Sequence, residues 1–272
     1  MTDSPELDDL IVRATAADRS PPFSDGALIQ LAHGVRELVW ELDGNGNRVG
    51  AALDSKGAAE FVVDPAFRGF GHGARMLDML THPSRGGSGT AKLFWAHGDH
   101  PASRALAAHH GLESIRTLLH LRLEPTPVGS RGAAVAFTIE DSDAWVALNA
   151  RVFAAHPEQG AVTRADLDTT AAEPWFDADD FLLVKDGLEL AGYAWLKVVE
   201  DEGEFYDVGV DPDRQRLGIG RALMAAGFAR LAERGIRSAH LYVEGDNAGA
   251  IALYESLGFG EASVDRQYHY VR

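Results

Sequence analysis

The sequence predicts an α/β protein, a mixed sheet flanked by helices, built twice in tandem. The segments Arg68-Gly69-Phe70-Gly71-His72-Gly73 and Gln215-Arg216-Leu217-Gly218-Ile219-Gly220 share the pattern [Arg/Gln]-x-x-Gly-x-[Gly/Ala], and each follows an Asp-Pro pair and precedes an apolar helical run. The offset is 147 residues between these motifs, between Asp64 and Asp211, and between Gly111 and Gly258, which marks a duplication. At 272 residues the chain is long enough for two cores.

In the first half a helix is expected from Ser4 to Ala17, ended by Pro21-Pro22, which cannot continue it. A second helical run, Asp25 to Glu37, leads into a hairpin: strand Leu38 to Leu42, turn Asp43-Gly44-Asn45-Gly46, strand Val49 to Leu53. Strand Phe61 to Val63 precedes the first glycine motif. A helix from Ala74 to Leu80, the loop Gly86-Gly87-Ser88-Gly89 and strand Ala91 to Trp95 follow it. A helix from Ala102 to His109 ends at Gly111, and strand Leu118 to Leu123 closes the half.

The stretch from Glu124 to Gly132 has linker composition, so the domains are placed at 1–125 and 133–272. The second half repeats the order: helix Ser142 to Ala155, hairpin Phe181 to Lys185 and Ala191 to Val199 around Asp186-Gly187, and strand Glu204 to Val210. After these come helix Leu217 to Arg234, strand Ser238 to Val243, helix Ala248 to Leu257 closed by Gly258, and strand Gln267 to Val271.

The formal charge of −16 argues against nucleic acid as a partner, because phosphate backbones need a basic face. A local cluster of Arg214, Arg216 and Arg221 still suits a small phosphate ligand. Without cysteine there is no thiolate nucleophile and no cysteine-ligated zinc. The 11 histidines show no His-Glu-x-x-His spacing and read as scattered surface residues; no metal is expected. The segment 86–90 lacks the last glycine of a nucleophile elbow. Met1 to Glu6 has no basic start or apolar run, and no stretch approaches a membrane span, so a cytoplasmic monomer without a membrane partner is the expectation.

At Gln215 to Gly220 a strand has ended, glycines allow close approach, and a helix begins, so unpaired amides and the positive helix end suit a pyrophosphate. The other reading is a turn that merely starts a helix. A Rossmann site is excluded locally because Gly218-Ile219-Gly220 lacks the third glycine, and a Walker lysine is missing.

This order of elements resembles the GNAT superfamily of acetyl-CoA-dependent N-acetyltransferases, in two copies. The segment from Asn247 to Phe259 is similar to that superfamily's Asn-x-x-Ala-x-x-x-Tyr-x-x-x-Gly-Phe pattern. The resemblance implies acetyl-CoA as cosubstrate, with its pyrophosphate on Gln215, Arg216, Leu217, Gly218, Ile219, Gly220 and Arg221. It adds Asn247 to the coenzyme site and lays the amides of Val208, Gly209 and Val210 along the thioester and pantetheine.

Amine acetylation needs a base for the ammonium proton, a donor to the thioester carbonyl and an acid for the leaving thiolate. Glu204, at the head of its strand, is the candidate base, and Tyr254 the candidate acid. A solvated carboxylate and a core tyrosine are the plainer alternatives.

Moving back by 147 maps Val208 onto Phe61 but Glu204 onto Gly57 and Tyr254 onto Ala107. The first half thus keeps a coenzyme cradle, Phe61, Val62, Val63, Arg68, Gly69, Gly71 and Gly73, and lacks both proton-transfer groups. Glu60, three residues from Gly57, leaves room for a slipped alignment. A binding or structural role is expected there.

Three features narrow the acceptor: the tandem arrangement, His156-Pro157-Glu158-Gln159-Gly160, and Glu173-Pro174-Trp175-Phe176-Asp177 followed by the strand from Glu204. Together they resemble the mycothiol synthase family, whose acceptor is the cysteinyl amine of a cysteinyl-glucosamine-inositol. Glu158 and Glu204 would meet its ammonium, Lys197 and Tyr242 its hydroxyls, and, by the resemblance, Asp25 its inositol end. Phe205-Tyr206-Asp207 departs from that family, where more apolar residues are usual. Acetylation of a protein N-terminus or an aminoglycoside, and non-catalytic sensing of acetyl-CoA, are the alternatives.

Overall fold

The computed structural model describes residues 4–55, 57–82, 92–154 and 159–271. Helices α1 (Pro5–Asp18) and α2 (Asp25–Ala32) precede strands β1 (Glu37–Leu42), β2 (Arg48–Asp54) and β3 (Ala58–Val63); α3 (His72–Thr81), β4 (Leu93–Ala96), α4 (Pro101–His110) and β5 (Leu112–Leu123) follow. The chain continues through β6 (Val135–Ala136), α5 (Ser142–Val152), α6 (Arg164–Ala171), β7 (Phe181–Asp186), β8 (Glu189–Val199) and β9 (Glu202–Val210). It ends with α7 (Ile219–Glu233), β10 (Ser238–Glu244), α8 (Ala248–Ser256) and β11 (Gly260–Tyr270). No helix among the described residues is long and apolar enough to cross a membrane.

Two compact units result. The N-terminal unit comprises Met1–Leu119, Glu244–Asp246 and Ala262–Arg272, and the C-terminal unit comprises His120–Val243 and Asn247–Glu261. The final stretch of chain therefore packs with the first unit, where Tyr268 and Tyr270 of β11 join Met76, Leu77, Leu80 and Phe94 in the core.

In the N-terminal unit β1, β2 and β3 form an antiparallel meander, β3 pairs β4 in parallel, and β4 pairs β11 antiparallel. Helix α1 buries Leu7, Leu10 and Ala14, the spacing of one helix face, and stops where Arg19 turns left-handed at φ 58°. In the C-terminal unit β6 to β9 are antiparallel neighbours and β9 pairs β10 in parallel. An aromatic cluster fills its core: Phe181 stacks on Trp195 at 4.4 Å and Trp145 meets both edge-on. Burying each such ring contributes about 1.5–3 kcal/mol.

The expected hairpins are present, and Gly111 and Gly258 close α4 and α8 at φ 69° and 98°. Several bounds differ from expectation. Helix α2 ends at Ala32 because Gly34, at φ 69°, reverses the chain, freeing Glu37 to begin β1. Helix α5 ends at Val152, and the last position expected in it, Ala155, lies outside the described residues together with the 83–91 loop. Helix α6 was not expected at all.

The stretch read as a linker packs on α7. The Ser130 amide donates to the Ala225 carbonyl, and a Cβ at Gly129 would stand 2.2 Å from that same oxygen.

Candidate active site

The two units repeat one local geometry. β9 stays in register with β10 only at Glu202, Gly203 and Glu204, opposite Ser238, Ala239 and His240, although β9 runs on to Val210. In the other unit β3 matches β4 at Ala58, Ala59 and Glu60, opposite Leu93, Phe94 and Trp95, and runs on to Val63. Each strand thus continues past a fork, with one edge free of its parallel neighbour and able to pair with a ligand.

The forks differ in one respect. Trp195 faces Asp207 and Leu196 faces Phe205, so Tyr206 is an extra residue, a β-bulge; β3 has no such shift against β2.

After each fork comes the glycine loop. Asp211 and Asp64 cap the turn that follows the strand through Asp213 N and Ala66 N, and each accepts a hydrogen bond from an arginine of the unit's first helix, Arg151 or Arg13. The loops then place Arg216 and Gly69, at corresponding positions, in the left-handed region at φ 63° and 83°, and Gly218 and Gly71 at 86° and 84°. An arginine held there is strained by about 1–2 kcal/mol, a cost that glycine avoids.

Gly218 and Gly71 are the N-caps of α7 and α3 and supply no side-chain acceptor, so the first-turn amides remain available to an anion. The last glycine of each motif serves packing instead: a Cβ on Gly220 would lie 3.1 Å from Leu253, and one on Gly73 3.5 Å from Leu106.

In the C-terminal unit, Glu204 occupies the last paired position of the fork, between Lys197 of β8 and His240 of β10. The Lys197 ammonium lies 5.5 Å from the Trp175 ring centroid and 5.9 Å from that of Tyr206. Tyr242 is exposed and stacks on His120 at 4.6 Å. Val208, Gly209 and Val210 lie beyond the fork on β9.

Tyr254 is buried on α8; burial, and then the charge of Asp207, push its phenol up to about 12. Asn247 caps α8 by accepting from Ala250 N, so its side chain already has a structural task. Arg221 is exposed and donates to the Ser256 hydroxyl. Asp25 is exposed in the first turn of α2, and Glu158 lies outside the described residues.

The N-terminal unit contains a cavity of about 430 Å³, and all seven residues of its expected cradle, Phe61, Val62, Val63, Arg68, Gly69, Gly71 and Gly73, line it. Arg68 forms two hydrogen bonds to Asp18, at 2.6 and 2.7 Å, within that wall. At the fork, Glu60 accepts from Ser24 N and Oγ and bridges to His97 Nε2, while His97 Nδ1 meets Asp265. Burial opposes the His97 charge, but its two carboxylate partners outweigh this and push it up to about 9. The same contacts outweigh burial at Glu60 and hold it below its ordinary value.

His72 is therefore buried and His97 largely so, each with carboxylate partners, and neither is the surface histidine expected from sequence. Nothing in the one-dimensional spacing of His97, Glu60 and Asp265 betrays the cluster.

Sequence reasoning also passed over Asp207. It lies 147 residues after Glu60 in sequence but past the bulge of β9, beyond the fork position that Glu204 shares with Glu60, and its surroundings are reversed. Its Oδ1 is buried with no partner among the described residues, and burial pushes its carboxyl up to about 7. A carboxylate in the apolar stretch Phe205-Tyr206-Asp207-Val208 was the available signal.

Residues 147–259 match the family described as Acetyltransferase (GNAT) family. The chain is 45% identical over 273 residues to the mycothiol acetyltransferase of Clavibacter michiganensis subsp. michiganensis, covering 94% of this chain and 88% of that one. It is 40% identical to the Streptomyces coelicolor protein of the same name, covering 95% and 89%.

Among solved structures it is similar in fold to a GCN5-related N-acetyltransferase from Sphaerobacter thermophilus, with TM-score 0.74, 19% identity and 98% and 91% of the two chains covered. A tandem GNAT protein from the clavulanic acid biosynthesis pathway aligns with TM-score 0.65, 17% identity and coverage of 98% and 96%. With that identity to relatives spanning nearly their whole length, the chain belongs to the mycothiol acetyltransferase family of GNAT acetyltransferases.

Proposed function

We propose that this chain transfers the acetyl group of acetyl-CoA to the cysteinyl amine of cysteinyl-glucosamine-inositol, and that the C-terminal unit performs the transfer. The observation that supports this best is the fork of β9, which puts Glu204 at the last paired position and leaves Val208 to Val210 with a free edge beyond it.

The coenzyme pyrophosphate rests on the amides from Gln215 to Gly220 at the N-terminus of α7, and the pantetheine arm adds to β9 as a strand would. A Val208 to Val210 amide donates to the thioester carbonyl and stabilises the charge that develops there. Glu204 accepts the ammonium proton, directly or through water, so the amine attacks with a free pair. Tyr254 gives its proton to the departing thiolate. Lys197, with Trp175 and Tyr206, offers a cationic and aromatic platform for the sugar.

The N-terminal unit, in this reading, binds coenzyme without reacting. Its cradle is complete, but the carboxylate at its fork is bonded to His97 and Ser24 and is not free to take a proton. Asp25 and Glu158 remain proposed contacts of the acceptor.

The test is acetylation by the purified full chain, read by mass spectrometry, against the cysteinyl sugar, an aminoglycoside and an N-terminal peptide. Turnover confined to the cysteinyl sugar is expected. Preferred turnover of either other amine would overturn the acceptor assignment.

A further inference from the structure

Asp207 is a half-buried residue with a buried carboxyl oxygen, a titratable group that this mechanism does not use. Its neighbours define a hydrogen-bond line with a direction. Asn149 Nδ2 donates to the Gln159 carbonyl at 2.6 Å, which fixes Asn149 Oδ1 toward Tyr193. The Tyr193 hydroxyl lies 2.6 Å from that Oδ1 and 3.2 Å from Asp207 Oδ2. One hydroxyl carries one proton, and the shorter contact takes it. The 3.2 Å contact is then a hydrogen bond only if Asp207 supplies the proton. The line runs from Asp207 to Tyr193, to Asn149, to the Gln159 carbonyl.

Other groups face the same carboxyl. Tyr254 of α8 and Tyr206 of β9 would both sense a charge on it; on Tyr206 burial acts first, then Glu204, and Glu173 as well. The Val208 amide lies beside it. Trp145 of α5 packs against Tyr193, and Arg151, the cation of α5, is engaged with Asp211. No cation is paired with Asp207 among the described residues.

We infer that Asp207 is a positioning residue that must hold its own proton for acetyl transfer, and that its ionisation switches the C-terminal unit off. The inference rests on the reading of Glu204 and Tyr254 given above. Two consequences of ionisation lead to it. The carboxylate would draw the Val208 amide away from the thioester carbonyl, and it would add negative charge near Tyr254, making that phenol a poorer acid for the thiolate. Burial of Asp207, which pushes its carboxyl to about 7, keeps a substantial neutral fraction near neutral pH.

The experiment is the pH dependence of kcat/KM for acetyl-CoA, which reports groups of the free enzyme, for wild type, D207N and Y193F. Asparagine copies the neutral acid and cannot ionise. The ratio of D207N to wild type should be constant below about pH 6 and climb toward tenfold per pH unit above about 7, because limbs common to both enzymes cancel. A ratio constant from about pH 6 to 9 overturns the inference.

Y193F tests the direction of the line and does not depend on D207N folding. Removing the acceptor of the Asp207 proton should move the alkaline limb to lower pH. Movement to higher pH would mean that Tyr193 donates to an ionised Asp207, and would overturn it. The infrared carbonyl band of a protonated carboxylic acid, present in wild type at pH 6 and absent in D207N, gives a readout independent of turnover; its absence from wild type counts against the inference. E204Q in the same assay separates the two levels. If E204Q keeps the wild-type rate, the assignment of the base fails, whatever the D207N ratio shows.

Discussion

Raising the pH from 6 to 10 should loosen the N-terminal unit at its fork, and His97 should be the cause. His97 is held between Asp265 and Glu60, and its pKa rises from 6.5 to about 9 in the fold. A cation whose pKa is raised by folding contributes fully below its unfolded value and loses that contribution as pH climbs through its folded value. Two to three units at about 1.4 kcal/mol each give about 3 kcal/mol, present below pH 6.5 and gone above about 9. Glu60, whose pKa is lowered, has the opposite dependence: its contribution is present above 4.5 and lost as pH falls below that. The cluster is therefore strongest between about 4.5 and 6.5, and it weakens across the window from 6.5 to about 9.

Hydrogen exchange of the β3 and β4 amides is the suitable assay, because it reads this unit even if the two units unfold separately. After correction for intrinsic exchange, wild-type protection should fall by about two decades across that window. H97Q, which cannot carry the charge, should start lower and show no such fall. An equal fall in H97Q and wild type would refute the reasoning.

Further outcomes follow from the C-terminal unit. E204Q should lower kcat by about 10²–10⁴-fold with little change in coenzyme affinity by calorimetry, since a base acts in the transition state and not in binding. Y254F should also lower kcat selectively, and a loss confined to KM would reassign Tyr254 to binding. In Gly209→Ala the new Cβ would lie 2.5 Å from the Tyr193 ring, forcing that ring off Asn149; a loss of about 1–3 kcal/mol in thermal stability is expected, and an unchanged Tm would show that the strand yields instead. Gly218→Ala, at φ 86°, should weaken coenzyme binding together with stability, as measured by calorimetry and melting; wild-type affinity would argue against the loop as the pyrophosphate site.

Features repeated in the chain were the most legible. The constant offset of 147 predicted that two loops would share an unusual backbone, and Gly69 and Arg216, Gly71 and Gly218, Gly111 and Gly258 all keep positive φ. Local periodicity located the hairpins and most helices. It overran α2 because Leu28, Leu31 and Val35 keep a helical apolar spacing that Gly34 cuts short, and it missed α6 although Thr163 and Asp166 form a capping box at its start.

What stayed hidden were contacts made by distant residues. His97 meets Asp265 across 168 positions of sequence, and Asp207 acquires its character from Tyr193 and Asn149, which lie on other elements. Shifting by 147 tested Gly57 for a missing base, whereas the informative comparison was Glu60 with Asp207. Glu60 is stapled and ionised in one unit, whereas Asp207, at the same sequence offset but beyond the bulge of β9, is desolvated in the other.

The asymmetry of the two units is tested most directly by single-turnover acetyl transfer to the cysteinyl sugar in the double variant E204Q/Y254F, with coenzyme binding followed in parallel by calorimetry. The expected result is loss of transfer with acetyl-CoA still bound. Transfer at the wild-type rate would contradict the assignment of the chemistry to Glu204 and Tyr254 of the C-terminal unit.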